Sequence, residues 1–242
     1  DKLVTGVQTC ALPIYAGDAT TASVTIGGTF RRNKATTRDD GTPTGDGGAI
    51  FNSGYLTSES STFGKSGKTA EANTAVNGGA VANEEGGHFV SRLSNYYSNS
   101  ATGTKNAKGD ITEYGKGGAI YNKKIDDDDV ESIVEIQGGT FTSNQADYGG
   151  AIYNDEGSRL ILDMDSLTGK ITTFSSNTSR SGYGGAIYKG TYNRILSIID
   201  SSFTGNTAYR NGGAIAMMRG DLNIIATDDN TTNTFLVFSS NV

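Results

Sequence analysis

Short apolar stretches in which every second residue is hydrophobic recur along the chain. Examples are Val24-Thr25-Ile26, Val134-Glu135-Ile136, Leu160-Ile161-Leu162, Leu196-Ser197-Ile198 and Leu222-Asn223-Ile224. A period of two marks a half-buried strand. No window of about 11 residues holds a 3.6-residue period, so an α-solenoid is not expected. Between these stretches lie clusters of Gly, Asn, Asp and Ser, the residues that supply left-handed turns.

Two further motifs alternate in phase with the strands. Gly-Gly-Ala begins at Gly47, Gly78, Gly117, Gly149, Gly184 and Gly212, with spacings of 31, 39, 32, 35 and 28 residues. Ile or Val follows each time, and four copies run on to Asn52, Asn83, Asn122 and Asn154; Lys189 and Met217 stand there in the last two. The second motif is Phe-x-x-Asn, at Phe30–Asn33, Phe141–Asn144, Phe174–Asn177, Phe203–Asn206 and Phe238–Asn241. Tyr96–Asn99 is a Tyr version, and Phe63-Gly64-Lys65-Ser66 reads as a copy without its Asn.

Repeats of this length, with about three short strands each, predict an all-β fold: a right-handed parallel β-helix. About seven coils stacked roughly 4.8 Å apart give a core of roughly 34 Å. In-register stacking predicts an internal column of the aromatic residues and Asn ladders at the corners, with Asn in the left-handed conformation. Gly-Gly is expected where a Cβ would clash. The Ile or Val after Ala should face inward, which by alternation puts the constant Ala on the other face. Insertions at the corners are expected over Arg38–Asp46, Lys65–Asn77, Thr102–Lys116 and Lys123–Val130.

Composition narrows the function classes. Of 242 residues, 34 are Gly, 2 Pro, 1 Cys and none Trp. One Cys excludes a disulfide framework and a Cys-based zinc site. The formal charge of −6 argues against a nucleic-acid partner. No run of about 18 apolar residues is present to span a membrane as a helix. Val4–Ile14 (VTGVQTCALPI) resembles the translation of a short-read sequencing adapter. Residues 1–14 are therefore set apart from fold reasoning, and residues 15–242 are expected to form one uncapped β-helix fragment of a longer protein. Open ends of that kind predict end-to-end self-association.

The alternation of GGA-Ile and Phe-x-x-Asn resembles the polymorphic outer membrane protein repeats of chlamydial autotransporters, over about Thr25 to Asn241. The resemblance implies a passenger-type β-helix at the bacterial surface, outer-membrane-associated, adhering to a host-cell protein or glycan without catalysis. Membrane attachment is then expected through parts of the protein outside this chain.

Candidate chemistry is sparse. Asp126, Asp127, Asp128 and Asp129 are candidate Ca²⁺ ligands, but lack EF-hand spacing and read as a solvated loop. Asp163 and Asp165 lie two apart and are expected on one face of a plain strand; Asp228-Asp229 reads as a turn. His88 is the only histidine, and no cofactor-binding Gly-rich motif opens a helix. After the GGA motif stand Glu84-Glu85, Lys123-Lys124 and Asp155-Glu156, an alternation that predicts charge pairing between coils. Tyr121, Tyr153 and Tyr188 form either an outer aromatic stripe for glycan or protein or core packing. The alternatives to adhesion are a carbohydrate-active β-helix enzyme whose catalytic coils lie elsewhere, and a structural stalk.

Overall fold

The computed structural model describes residues 3–8, 23–35, 45–123, 130–190, 195–227 and 236–242. Every strand pair in the coil sheets is parallel and in register with the copy one repeat away; one antiparallel hairpin sits in an insertion. This is a parallel β-helix. Three sheets form its faces. A large sheet carries the aliphatic and aromatic stretches, a six-stranded sheet carries the GGA motif, and a five-stranded short sheet follows the Phe-x-x-Asn corner.

The division of strands departs from expectation. The aliphatic and Phe strands do not occupy separate faces. They share the large sheet, and run on without a break in His88–Tyr97 and Ile133–Thr142. A left-handed residue, Leu93 (φ 50°) or Gly138 (φ 66°), bends each such strand midway. The third face is made by two-residue strands such as Thr74–Ala75 and Thr178–Ser179, too short to leave a hydrophobic period in the sequence.

The aromatic column forms as expected. Phe30, Phe63, Tyr96, Phe141, Phe174, Phe203 and Phe238 stack with centroids 4.5–4.9 Å apart and planes within 12° of parallel. The spacing is that of neighbouring strands, so backbone pairing sets the ring separation. Tyr96 carries a hydroxyl into this column. Ser91 Oγ meets it at 2.8 Å, and burial holds the phenol un-ionised. Ser91 stands in register with Ser58 on one side and with Ile136 on the other.

Behind the rings runs an Asn ladder of Asn33, Asn73, Asn99, Asn144, Asn177, Asn206 and Asn241. Asn144 shows the pattern: its Oδ1 accepts from Asn99 N and Nδ2, both at 3.0 Å, and its Nδ2 donates to Tyr96 O and Asn177 Oδ1, both at 3.0 Å. The coil of Phe63 has not lost its Asn. Asn73 fills the rung after the inserted residues Lys65–Ala72, accepting from Asn33 and donating to Asn99. Nor is the Asn itself left-handed. The residue before it is: Arg32, Ser98, Ser143, Ser176, Gly205 and Ser240 all have φ of 52–62°.

The GGA motif resolves into three separate requirements. Gly117 has φ 65°, and a Cβ there would lie 2.0 Å from Ile120 O. A Cβ on Gly118 would lie 2.2 Å from Gly150 O in the next coil. Ala119 and its equivalents are in the core, not on the outer face. They sit in the bend before the strand, where alternation does not yet apply, and Ala119 O and Ala151 O each accept two N–H groups from the preceding coil. Ile50, Val81, Ile120, Ile152 and Ile187 are fully buried, as expected.

The predicted insertion Lys65–Asn77 contains the short 3-10 turn Thr69–Glu71 but ends at Ala72, since Asn73 and Thr74–Ala75 belong to the coil; the third contains the hairpin of Thr104–Lys105 with Ile111–Glu113. Residues 36–44 and 124–129 lie outside the described residues. So do the candidate ligands Asp126, Asp127, Asp128 and Asp129, and Asp228-Asp229. Leu3–Gln8, within the set-apart segment, pairs in parallel with Ser23–Phe30.

Candidate ligand-binding face

In the GGA sheet, Ile and Asn point inward, so the residue between them points out. In register these outward residues are Phe51, Ala82, Tyr121, Tyr153, Tyr188 and Ala216. Tyr153 and Tyr188 are partly exposed on this outer face; Tyr121 lies on the same face outside the hydrophobic core but is itself buried, 3% exposed. Tyr153 and Tyr188 stack at 4.7 Å and 23°; Tyr121 meets Tyr153 edge-on at 5.6 Å.

A second column lies beside the first, built from the residue before each Gly-Gly: Asp46, Asn77, Lys116, Tyr148, Tyr183 and Asn211. Tyr148 packs against Tyr188 at 5.9 Å and 75°, and against Tyr114 of the hairpin at 5.4 Å and 82°. Lys116 Nζ lies 5.6 Å from the ring centroids of both Tyr121 and Tyr153, within cation–π range. Arg210 Cζ lies 5.8 Å from the Tyr183 ring. Glu113, Tyr114, Lys116, Tyr148, Tyr153 and Tyr188 line an open cavity of about 380 Å³. Burial raises the phenols of Tyr121, Tyr148, Tyr153 and Tyr188 above the ordinary value, so they stay protonated near neutral pH. The sequence reading missed this second column. Its signal was present as the residue preceding each Gly-Gly.

At the other end of the same column Asp46 Oδ1 accepts from Asn77 N at 3.1 Å and Nδ2 at 3.0 Å. Asn77 Nδ2 also donates to Glu113 Oε1 at 2.9 Å. Glu84 is buried beside Asp46, and Lys123 Nζ donates to its Oε2 at 2.8 Å. Burial first, then the neighbouring Glu84 charge, pushes the Asp46 carboxyl up to about 7.

Four segments, residues 27–53, 138–155, 171–189 and 200–216, match the Chlamydia polymorphic membrane protein repeat. Over these segments, about a third of the chain, it is similar to that repeat. Each matched segment runs from just before a ring of the aromatic column to about the end of a GGA-sheet strand. In this chain the matched segments are thus the half-coils that hold both Gly positions and the Phe-x-x-Asn rung. The stretches with insertions after Phe63 and Ala101 fall outside the matches, yet Asn73 and Asn99 continue the same ladder. The repeat supports a surface or outer-membrane location in general. No curated protein and no solved structure matches the chain.

Other residues singled out in these repeats have structural partners. The Lys123–Glu84 pair realises part of the expected charge alternation between coils. Lys189, in the register position of Asn154, is buried with Nζ donating to Asp155 O at 3.2 Å. Asp163 and Asp165 do not act together. The strand ends at Asp163, and Asp165 accepts from Arg92 Nε at 2.6 Å and from Thr168 N and Oγ1. The hydrogen bond from Arg92 holds the Asp165 carboxyl below the usual carboxylate range. His88 Nε2 lies 2.9 Å from Glu135 Oε1, and its ring packs on Tyr55 at 4.6 Å. Among the described residues, no three of His, Cys, Asp and Glu gather in a metal-binding cluster.

Proposed function

We propose that the chain is the β-helical passenger region of a surface-displayed adhesin, and that the tyrosine-lined outer face of the GGA sheet binds a host-cell protein or glycan. The observation that carries this reading is the pair Tyr153 and Tyr188, in register and partly exposed on an outward face, joined by Tyr114 and Tyr148 and backed by the buried Tyr121. A scaffold alone needs inward rings and Asn rungs; it does not need aromatics in consecutive coils on its outside. Tyrosine presents a large amphipathic ring at low entropic cost, which suits recognition.

The test is binding of the purified, fluorescently labelled chain to cultured host epithelial cells. Saturable binding that falls at least tenfold on Tyr153→Ala with Tyr188→Ala supports the reading. Binding untouched by this double variant, or no binding at all, overturns it; the latter favours the stalk.

The last coil adds an expectation about partners. Leu222, Ile224, Val237 and Phe238 are each at least 37% exposed, and their strands pair on one side only among the described residues. Open, apolar edges recruit further strands, so the isolated chain should self-associate end to end. A single monomer species at about 100 μM in sedimentation velocity would count against this.

A further inference from the structure

We infer that the cavity beside Tyr153 and Tyr188 is a subsite for an uncharged pyranose ring of a host glycan. This rests on the adhesin reading and narrows its ligand class.

Shape comes first. A volume of about 380 Å³ falls at the lower end of small-ligand sites, roughly 300–1,000 Å³. That suits one or two sugar units and is too small to seat a folded protein surface. The walls are ring faces set at steep angles. Tyr153 and Tyr188 lie nearly parallel at 23°, while Tyr148 stands at 75° to Tyr188 and Tyr114 at 82° to Tyr148. A pyranose has one face of C–H groups that packs on an aromatic ring and a rim of hydroxyls that needs polar partners.

Polar partners stand on the cavity wall, one of each kind. Glu113 lines it with Oε1 taken by Asn77 Nδ2 and Oε2 without a partner among the described residues. Lys116 lines it with its ammonium held only over the Tyr121 and Tyr153 rings and in no ion pair among the described residues. One carboxylate acceptor and one ammonium donor can address neighbouring hydroxyls. Burial keeps the phenols of Tyr148, Tyr153 and Tyr188 protonated, so they add neutral donors and acceptors.

Charge decides against the other small-ligand classes. A uronate or sialate would gain Lys116 but face Glu113, with Asp155 within 3.5 Å of the Tyr121 hydroxyl. A quaternary ammonium would gain Glu113 but face the like charge of Lys116 on the same wall. The wall has no net charge to favour either sign.

The test is saturation-transfer NMR and titration of the intact chain with three oligosaccharide sets: neutral (galacto-, gluco- and manno-), sialylated, and sulfated. The expected result is saturation transfer to ring C–H protons of a neutral oligosaccharide. Tyr188→Ala and Tyr114→Ala should each weaken binding at least tenfold, Lys116→Met severalfold, and Tyr55→Ala on the large sheet not at all. Tyr114 is 44% exposed, so that variant keeps the fold. Preference for the charged sets overturns the neutral-sugar inference. No sugar binding, with cell binding still lost in the tyrosine variants, also overturns it but leaves the adhesin reading standing with a protein ligand. No binding to sugars or to cells overturns both.

Discussion

Replacing Asn144 by Ala tests whether the inner Asn ladder is a main source of stability. Asn144 is fully buried at the centre of the ladder. Its amide satisfies the Asn99 backbone N–H, which has no other partner, and adds a second bond to the Tyr96 carbonyl, which stays in the ladder with the Phe141 coil when the amide is removed. Asn99 Nδ2 keeps its bond to Phe63 O, and Asn177 Oδ1 keeps the bond from Asn144 N. One backbone N–H is therefore orphaned in the interior, at about 1–3 kcal/mol, and one further hydrogen bond is lost, at about 0.5–1.5 kcal/mol. The expected loss is about 1.5–4.5 kcal/mol, a large part of the 5–15 kcal/mol typical of a domain. The control is Asn241→Ala. Asn241 takes the N–H and Nδ2 of Asn206 in the same way, but at the last coil, where water can replace it. The loss there should stay below about 1.5 kcal/mol. Urea unfolding followed by far-UV circular dichroism measures both. Hydrogen exchange should show faster exchange confined to the coils around Tyr96 and Phe141, because coils in a solenoid depend on their nearest neighbours. A loss under 1 kcal/mol at Asn144, or equal losses at the two sites, would refute the ladder argument.

Three other outcomes follow from particular contacts. Tyr96→Phe should destabilise by about 1 kcal/mol by leaving the buried Ser91 Oγ unpaired; adding Ser91→Ala should recover most of it, and an additive double-mutant cycle would contradict the pairing. The Asp46 carboxyl has its folded value raised from 3.8 to about 7. Below pH 3.8 both states are protonated. From there to pH 7 the unfolded chain loses its proton first, so stability falls as pH rises and levels off above 7, by at most about 4 kcal/mol. Asp46→Asn should thus gain little at pH 4 and most at pH 8; parallel stability–pH curves for the two proteins would rule this out. Ser176 is exposed at φ 55° where Gly205 occupies the equivalent position one coil on. Left-handed strain of about 1–2 kcal/mol against a glycine entropy cost of about 0.5–1 kcal/mol predicts that Ser176→Gly gains roughly 0.5 kcal/mol, and a lower urea midpoint would be the contrary result.

Much of the fold was legible because parallel in-register stacking puts each residue on its own copy. The aromatic column, the inward Ile or Val and the Asn rungs repeat in the sequence because each contacts its equivalent one strand spacing away. Where contact is not with a like residue, the sequence was silent or misleading. Asn73 follows Phe63 at ten residues rather than three, and only the ladder geometry shows that it fills the rung. The Ala of GGA was misplaced because alternation holds in strands and Ala lies in the bend before one. The short sheet left no trace because two residues cannot show a period of two.

The candidate face divides along the same line. The sequence by itself determined that Tyr121, Tyr153 and Tyr188 are in phase, and therefore stacked. It could not say whether they face the core or solvent, since a strand of three residues has no flanking pattern to orient it. Tertiary structure decided that by turning Ile and Asn inward on either side, which leaves Tyr153 and Tyr188 partly exposed, while Tyr121 is covered. It also brought Tyr148 beside Tyr188, and Tyr114 and Glu113 beside both, across separations that no period links. Position along a coil is written in the repeat, because each coil is built the same way. Proximity between different positions on neighbouring coils depends on how the coils turn and on what the insertions lay against them, and that exists only in the folded chain.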